Sequence, residues 1–103
     1  MDATLLKNIC ECQNRGQAVA LVTIIETKGS TPRKAGSQML VWPDGAVQGT
    51  IGGGCAEAEA KQQALFALQI GKSHVYTIEM LNAVAADEGM VCGGTMSLFV
   101  QVI

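Results

Sequence analysis

The sequence has few charged residues, few aromatic residues and one histidine, and each shortage excludes a class of function. Only 16% of its 103 residues are charged, 4% are aromatic, and the formal net charge is −2. An acidic chain without a tract of interleaved Lys, Arg and aromatic residues is not expected to bind nucleic acid. With a single histidine and no Cys-x-x-Cys pair, the chain also lacks the ligand spacing of a structural zinc site.

Long hydrophobic runs are also missing. The longest apolar stretch, residues 18–25, is interrupted by Thr23, and the first residues lack the basic start of a signal peptide. We therefore predict a cytoplasmic protein that does not enter a membrane and whose four cysteines are reduced. Cys10 and Cys12 lie two residues apart on a predicted helix, so their side chains are expected to point in different directions and to form neither a disulfide nor a metal pair.

The sequence is instead rich in apolar residues, which make up 49% of the chain. A domain of this size has much surface for its volume and is not expected to bury so much apolar surface alone. We therefore predict a homo-oligomer, most simply a homodimer. The final predicted strand, residues 95–103, is the expected contact if it lies at a sheet edge, where unpaired backbone groups invite pairing.

Periodicity and turn signals divide the chain into two helices and about five strands. The first helix is capped by Asp2 or Thr4 and runs to about residue 14, with an apolar face made of Leu5, Leu6, Ile9 and Cys10. The second runs over residues 55–70, is closed by Gly71, and packs through its alanines with Leu65, Leu68 and Ile70. The predicted strands are 18–27, 37–42, 46–51, 73–81 and 95–103, with an exposed loop at 82–90.

These elements predict a small α/β or α+β fold in one domain spanning residues 1–103. Its mixed sheet contains a central hairpin that turns at Pro43, Asp44 and Gly45.

The most specific local feature is a glycine turn, Gly52, Gly53 and Gly54, followed at once by Cys55 and a helix. Such a turn directs unpaired N–H groups and the positive end of the helix dipole at one point, which favours phosphate. No Gly-Lys-Ser/Thr follows, and Glu57 stands where a dinucleotide fingerprint requires Gly or Ala. A tight turn that only permits close packing explains the glycines equally well.

Two further segments carry residues suited to a ligand. Loop 28–36 contains three of the seven basic residues, and its candidates for binding phosphate are Ser30, Thr31, Arg33 and Lys34. A solvated surface loop is the alternative interpretation. The other segment is Cys92, Gly93 and Gly94, a second cysteine beside a glycine pair, which a small buried residue would also explain. We expect Cys55 and Cys92 to lie close together.

No catalytic residue and no metal ligand is predicted. A Cys–His pair would require His74, which lies inside a predicted strand and is better explained as an ordinary histidine.

Four motifs occur in order along the chain: residues 26–40, the turn at 43–45, residues 49–57 and residues 89–96. This series closely resembles the N-terminal domain of the XdhC/CoxI family, accessory proteins of molybdenum hydroxylases such as xanthine dehydrogenase and carbon monoxide dehydrogenase. The resemblance covers residues 18–103. It implies a protein that binds molybdenum cofactor and supports its sulfuration or its insertion into the hydroxylase.

The resemblance also implies one shared site. The glycine turn and loop 30–36 would hold the pterin phosphate, and Cys55 or Cys92 would lie near the metal or its sulfur. Typical members carry a C-terminal Rossmann-like domain that this sequence lacks, so a separate Rossmann-domain protein is an expected partner beside the hydroxylase and a cysteine desulfurase.

Two other functions stay open at this point. One is a thiol-dependent sulfurtransferase or oxidoreductase that acts through Cys55 or Cys92. The other is a docking or regulatory module for a hydroxylase or a Rossmann partner, without a ligand of its own.

Overall fold

The elements follow one another along the chain as predicted. The computed structural model describes residues 2–80 and 93–103. In these residues the helices are α1 (Ala3–Asn14) and α2 (Gly54–Ile70), and the strands are β1 (Ala20–Lys28), β2 (Gln38–Val41), β3 (Val47–Gly49), β4 (His74–Glu79) and β5 (Thr95–Val102). The predicted α+β class is therefore confirmed, while the loop predicted at 82–90 and Cys92 lie outside the described residues.

The five strands form one sheet in the order β3-β2-β1-β5-β4. Every pair of neighbouring strands is antiparallel, so the sheet is not mixed as the sequence suggested. The prediction that the last strand forms an edge is wrong, because β5 pairs with β1 on one side and with β4 on the other. Its alternate residues Met96, Leu98 and Val100 are fully buried, which explains why this apolar strand occupies the interior of the sheet.

The hairpin between β2 and β3 is confirmed at the predicted turn. The Asp44 carboxylate accepts a hydrogen bond of 2.9 Å from the Ala46 N–H, and the Gly45 N–H donates to the Trp42 carbonyl oxygen at 2.9 Å. Gly45 has a φ of 89°, a conformation that favours glycine over residues with a side chain. Local turn chemistry therefore determines this hairpin.

Helix α2 covers one face of the sheet with a stripe of small residues. Ala56, Ala60, Ala64 and Ala67 recur at helical spacing and are buried against the main core. Leu65 and Leu68 are partly buried beside them, as predicted, but Ile70, the last residue of the helix, is 46% exposed. The αL conformation of Gly71 ends the helix at the predicted position.

Helix α1 packs on the opposite face. Leu5, Ile9 and Cys12 contact Leu21 and Leu40, which alternate along their strands with residues of the main core. Leu6 and Cys10 are exposed, so the predicted apolar face is partly wrong. The buried stripe of α1 consists of Leu5, Ile9 and Cys12, and Cys12 lies in it where Cys10 was expected. Asp2 is confirmed as the cap, with its Oδ1 accepting from the Thr4 N–H at 2.7 Å. Neither helix in the described ranges has the length and hydropathy needed to span a bilayer.

The segments of functional interest that the structure describes all lie at one end of the sheet. The register places Lys28 opposite Thr95 and Thr95 opposite Glu79, while Gly49 lies opposite Met39 near the start of β2. Loop 28–36, the glycine turn and Gly94 all connect to these strand ends. We call this region the loop end of the sheet.

Candidate functional site

Gly94 packs directly against the start of loop 28–36. It is buried, and a Cβ placed on it would lie 2.4 Å from the Lys28 carbonyl oxygen and 2.5 Å from the Ser30 carbonyl oxygen. A Cβ on Gly29 would in turn lie 3.1 Å from the Gly94 Cα and 3.4 Å from the Gly93 carbonyl oxygen. Only glycine fits at Gly94, because the backbone atoms around it cannot move aside as a flexible side chain would.

The other side of the same loop contacts the glycine turn. A Cβ on Gly52 would lie 2.5 Å from the Pro32 Cγ and 3.7 Å from the Arg33 Cγ, and Gly52 has a φ of 131°. Loop 28–36 therefore lies between the glycine turn and the segment at Gly93 and Gly94. The described parts of the three segments that the sequence singled out therefore lie side by side.

Cys92 lies outside the described residues, so its expected closeness to Cys55 stays a prediction.

The glycine turn does not present all of its N–H groups to a ligand. The Gly53 N–H donates to Glu57 Oε2 at 2.8 Å, the Thr50 hydroxyl donates to the same oxygen at 2.6 Å, and the Gly52 N–H donates to the Thr50 hydroxyl at 3.0 Å. The expectation of unpaired donors on Gly52 and Gly53 is therefore wrong. Glu57 reaches back from the first turn of α2, where its negative charge also suits the helix dipole.

The N–H groups without a hydrogen-bond acceptor belong to the next residues along the chain, in the first turn of α2. The N–H groups of Gly54, Cys55 and Ala56 have no hydrogen-bond acceptor among residues 2–80 and 93–103, as expected for the first turn of a helix. Gly54 and Cys55 are exposed. A ligand at this helix start would therefore contact the backbone of residues 54–56 and would lie beside the Cys55 thiol.

The positive charge of the site comes from two residues of the loop. Arg33 and Lys34 are exposed and have no ion-pair partner among the described residues, whereas Lys28 Nζ lies 3.4 Å from a Glu26 carboxylate oxygen. The Thr31 hydroxyl donates to the Arg33 carbonyl oxygen at 2.9 Å and so holds this part of the loop, while Ser30 is exposed. Arg33, whose stem lies near Gly52, is the better placed of the two free cations.

Two polar contacts between α2 and β4 lie away from this site. His74 Nε2 is 2.8 Å from Gln63 Oε1, and its ring meets Phe66 edge-on with centroids 6.3 Å apart. Gln63 lies eight residues along α2 from Cys55, about 12 Å at the helical rise, so His74 forms no pair with that thiol. The Tyr76 hydroxyl donates to Glu59 Oε1 at 2.9 Å, and this hydrogen bond is the main reason that the pKa of Tyr76 is raised.

The described residues contain no group of three or more His, Cys, Asp or Glu side chains that could hold a metal ion. The exposed cations of the loop and the N–H groups at the start of α2 make the loop end suited to an anion, with the Cys55 thiol beside it.

Sequence reasoning missed the role of Glu57 and Thr50 in the glycine turn. Glu57 is the fourth residue after the N-cap Gly53, one position beyond the Glu of a standard capping box. The only available signal was an acidic residue in the first turn of a helix, which many helices share. The sequence could not show that its carboxylate folds back over the turn.

Comparison with known proteins yields one family. The profile of the XdhC and CoxI family matches residues 12–79. The chain is 42% identical over 83 residues to the uncharacterized protein YqeB of Escherichia coli strain K12, covering 81% of this chain and 15% of YqeB. It is 38% identical over 69 residues to the molybdenum cofactor insertion chaperone PaoD of the same strain, covering 67% of this chain and 22% of PaoD.

A solved structure has the same fold. A crystal structure from Bacillus halodurans, described as a xanthine dehydrogenase, matches 93% of this chain with a TM-score of 0.73 and 26% sequence identity, and the match takes up 29% of that chain. The chain thus spans less than a third of the length of each of these relatives.

Proposed function

Since the chain belongs to the XdhC and CoxI family, we propose that it binds molybdenum cofactor and supports its sulfuration or its insertion into a molybdenum hydroxylase. The cofactor is cargo in transit, and the protein is an accessory protein and not an enzyme. A relative named as a molybdenum cofactor insertion chaperone supports this role.

The observation that carries the proposal is the contact of loop 28–36 with both glycine segments. Gly52 meets Pro32, and Gly94 meets the carbonyl oxygens of Lys28 and Ser30. Because these contacts need glycine, the loop is held in one position over the start of α2 instead of extending into solvent. A loop held in this way keeps the stem of Arg33 near Gly52, two residues before the start of α2.

Each residue of the proposed site has a distinct task. The guanidinium of Arg33 and the ammonium of Lys34 neutralise the terminal phosphate of the cofactor, and the Ser30 hydroxyl adds a hydrogen bond. The Thr31 hydroxyl donates to the Arg33 carbonyl oxygen and so holds this part of the site in place. The N–H groups of Gly54 and Cys55 complete the phosphate site at the positive end of the helix dipole. Gly52 and Gly94 allow the backbone segments to approach, and Gly53 and Gly93 lie next to them in the site. Cys55 or Cys92 lies near the sulfur atoms of the cofactor.

The proposed partners follow from the same role. The chain delivers to a molybdenum hydroxylase, receives sulfur by way of a cysteine desulfurase, and works with a Rossmann-domain protein that corresponds to the further length of its relatives. We propose that it acts in the cytoplasm as a homodimer, as one domain that corresponds to the N-terminal part of the family.

The test is whether the protein retains pterin when it is purified from a host that makes molybdenum cofactor. Oxidation converts bound molybdopterin into a fluorescent pterin, so wild-type protein should release this fluorescence on denaturation. Arg33→Ala should release much less, whereas Arg15→Ala, which removes an exposed arginine at the far end of α1, should match wild type. Absence of pterin from wild-type protein that still binds a hydroxylase would overturn cofactor binding and favour a docking module.

The exposed thiol of Cys55 favours one second candidate, a sulfurtransferase. Its thiolate would attack the terminal sulfur of a desulfurase persulfide, forming a persulfide on Cys55 and releasing the desulfurase thiolate. Mass spectrometry after incubation with a desulfurase and cysteine should then show one added sulfur in wild type and in Cys10→Ser, which removes another exposed thiol. Cys55→Ser should remain unmodified. Equal labelling of Cys55→Ser would contradict a role for this thiol.

A further inference from the structure

The exposed edge of β4 carries opposite charges at its two ends. β4 has six residues and is the longer of the two edge strands of the described sheet. Lys72 lies two residues before it, Glu79 is its last residue, and both are exposed. Neither has an ion-pair partner among residues 2–80 and 93–103. Because antiparallel pairing sets the start of one strand beside the end of the other, this edge is complementary in charge to a second copy of itself.

The hydrogen bonds of β4 restrict how a second copy can pair with it. The Met80 N–H donates to the residue before β5, and bonded residues alternate along an antiparallel ladder, so the odd-numbered residues of β4 direct their backbone groups to the open edge. A two-fold axis at Tyr76 pairs Val75 with Thr77 of the second copy and satisfies these groups. The same axis sets Lys72 of each copy opposite Met80 of the other, at the end of the strand that carries the glutamate.

Helix α2 runs beside β4 in the opposite direction. The Glu59 carboxylate accepts from the Tyr76 hydroxyl at 2.9 Å. One turn later in the helix, Gln63 Oε1 lies 2.8 Å from Nε2 of His74, which is two residues earlier in the strand. Cys55 precedes Glu59 by one turn, about 6 Å further along the helix towards the end of β4. The start of α2 and its exposed thiol therefore lie at the end of β4 that the lysine of a second copy reaches.

We infer that a second copy of the chain completes the anion site at the start of α2 by supplying Lys72. The inference rests on the proposed function, in which the phosphate of the cargo lies beside Arg33 and the N–H groups of Gly54 and Cys55. Each copy then supplies these groups to its own site and its lysine to the site of the other copy. A dimer with two-fold symmetry has two such shared sites.

The lysine offsets negative charge on the β4 side of the site. Glu59 lies near the start of α2 and Glu79 ends β4, and both carboxylates oppose the binding of an anion nearby. The cations that the same copy supplies belong to the loop, where the Arg33 stem lies near Gly52 on the side of the glycine turn. An ammonium group from the second copy thus balances the charge of the site and adds a donor to the phosphate.

The test combines two variants that each lack one of the cations. Pyrophosphate is the probe, titrated by calorimetry against the full chain. Arg33→Ala and Lys72→Ala should each bind it about tenfold or more weakly than wild type, the factor for one lost charge-assisted hydrogen bond. When the two variants are expressed together, each mixed dimer has one site with both cations, because the arginine and the lysine of a site come from different copies. About a quarter of all sites should then bind as in wild type.

The pairing itself is tested by exchanging the charges. Lys72→Glu sets like charges beside each other at both ends of the interface and should shift the dimer to monomer in analytical ultracentrifugation. Adding Glu79→Lys to the same chain restores opposite charges and should restore the dimer. The matched control, Lys7→Glu, reverses an exposed lysine on α1 and should leave both the dimer and the binding of pyrophosphate unchanged.

The outcomes separate this inference from the proposed function. A monomeric wild type, a dimer that Lys72→Glu leaves intact, or combined variants without recovered pyrophosphate binding would overturn the shared site, even where purified protein retains molybdopterin through Arg33. Recovery of binding together with the effect of the charge exchange would establish it. If both are seen while purified wild-type protein retains no molybdopterin, the shared site stands and the proposed function fails.

Discussion

At the scale of single residues, the charge balance of the glycine turn is set by Glu57. Its carboxylate accepts from the Gly53 N–H and from the Thr50 hydroxyl, so it occupies part of the space where an anion would bind. The same carboxylate stabilises the start of α2 through the helix dipole. The carboxylate of Glu57 therefore stabilises the helix but opposes the binding of an anion.

We expect Glu57→Gln to bind molybdopterin more tightly and to unfold more easily. The amide keeps an acceptor for the Gly53 N–H but removes the negative charge, which should raise affinity by roughly 1 kcal/mol, or about fivefold. The free energy of unfolding should fall by about 0.5 kcal/mol. Calorimetric titration and urea denaturation measure the two effects, with Glu11→Gln as the control. Weaker binding by Glu57→Gln would show that the carboxylate helps to hold the ligand.

Two of the three basic residues of loop 28–36, Arg33 and Lys28, should differ in their effect on binding. Arg33→Ala should weaken molybdopterin binding by roughly 1.5–3 kcal/mol, the loss of a charge-assisted hydrogen bond. Lys28→Ala should have a smaller effect, because Lys28 is paired with Glu26 and is an exposed point charge. Titration of both variants tests this difference. Equal affinities would mean that the loop is only a surface connection.

At the scale of elements, α2 and β4 are joined by the hydrogen bond from Tyr76 to Glu59. This hydrogen bond is the largest cause of the raised pKa of Tyr76; partial burial and the charge of Glu59 add to it. A raised pKa means that the folded state favours the neutral phenol. The contribution of this contact to stability is therefore fully present below pH 10, the ordinary pKa, and is lost as the pH rises through the raised value.

We expect the absorbance of the single tyrosine to titrate above pH 10 in the folded protein. Glu59→Gln should move the midpoint back towards 10 because the partner charge is gone and the amide is a weaker acceptor. Tyr76→Phe should lower the unfolding midpoint at neutral pH and make less difference in strongly alkaline solution. A tyrosine midpoint that is identical in wild type and Glu59→Gln would contradict this account.

At the scale of the whole molecule, the predicted oligomer needs a different contact from the one first expected. Strand β5 is internal, so the long open edge of the described sheet is β4. The Met80 N–H donates to the Gly94 carbonyl oxygen at 2.9 Å, and bonded pairs alternate along an antiparallel ladder. The backbone groups of Val75, Thr77 and Glu79 therefore face outward, available to a second copy of the chain.

Apolar residues surround this edge on both faces. Val75 is 60% exposed, and Phe66 and Ile70 of α2 are exposed on the side where Phe66 meets His74. Strand β3, at the other edge, has only three residues. Three of the six exposed large apolar residues in the described part of the chain thus lie around β4, where an antiparallel pair of β4 strands would cover them.

We expect the wild-type protein to form a dimer of the 10.8 kDa chain at micromolar concentration. Val75→Lys should shift it to monomer, because a lysine on an edge strand opposes pairing. Val47→Lys places the same charge on β3 and should leave the dimer intact. Analytical ultracentrifugation distinguishes these outcomes, and a monomeric wild type would mean that the edge serves another partner.

The sequence alone determined the features that depend on neighbouring residues. Asp2 caps α1, Gly71 ends α2, and the turn at 43–45 forms the hairpin, because each signal acts on backbone groups a few residues away. The order of four motifs was enough to indicate the family. Composition also predicted surplus apolar surface, although it could not place that surface.

Only the tertiary structure decided which segments meet. The position of β5 between β1 and β4 depends on pairing between residues far apart in sequence, and no local signal specifies it. The same holds for Gly94 against Ser30, and for the groove lined by Asp2, Gln38 and Gln48. Leu6 and Cys10 are exposed because packing against the sheet determines which face of α1 is buried. Periodicity defines a helical stripe, but packing selects which residues of that stripe are buried.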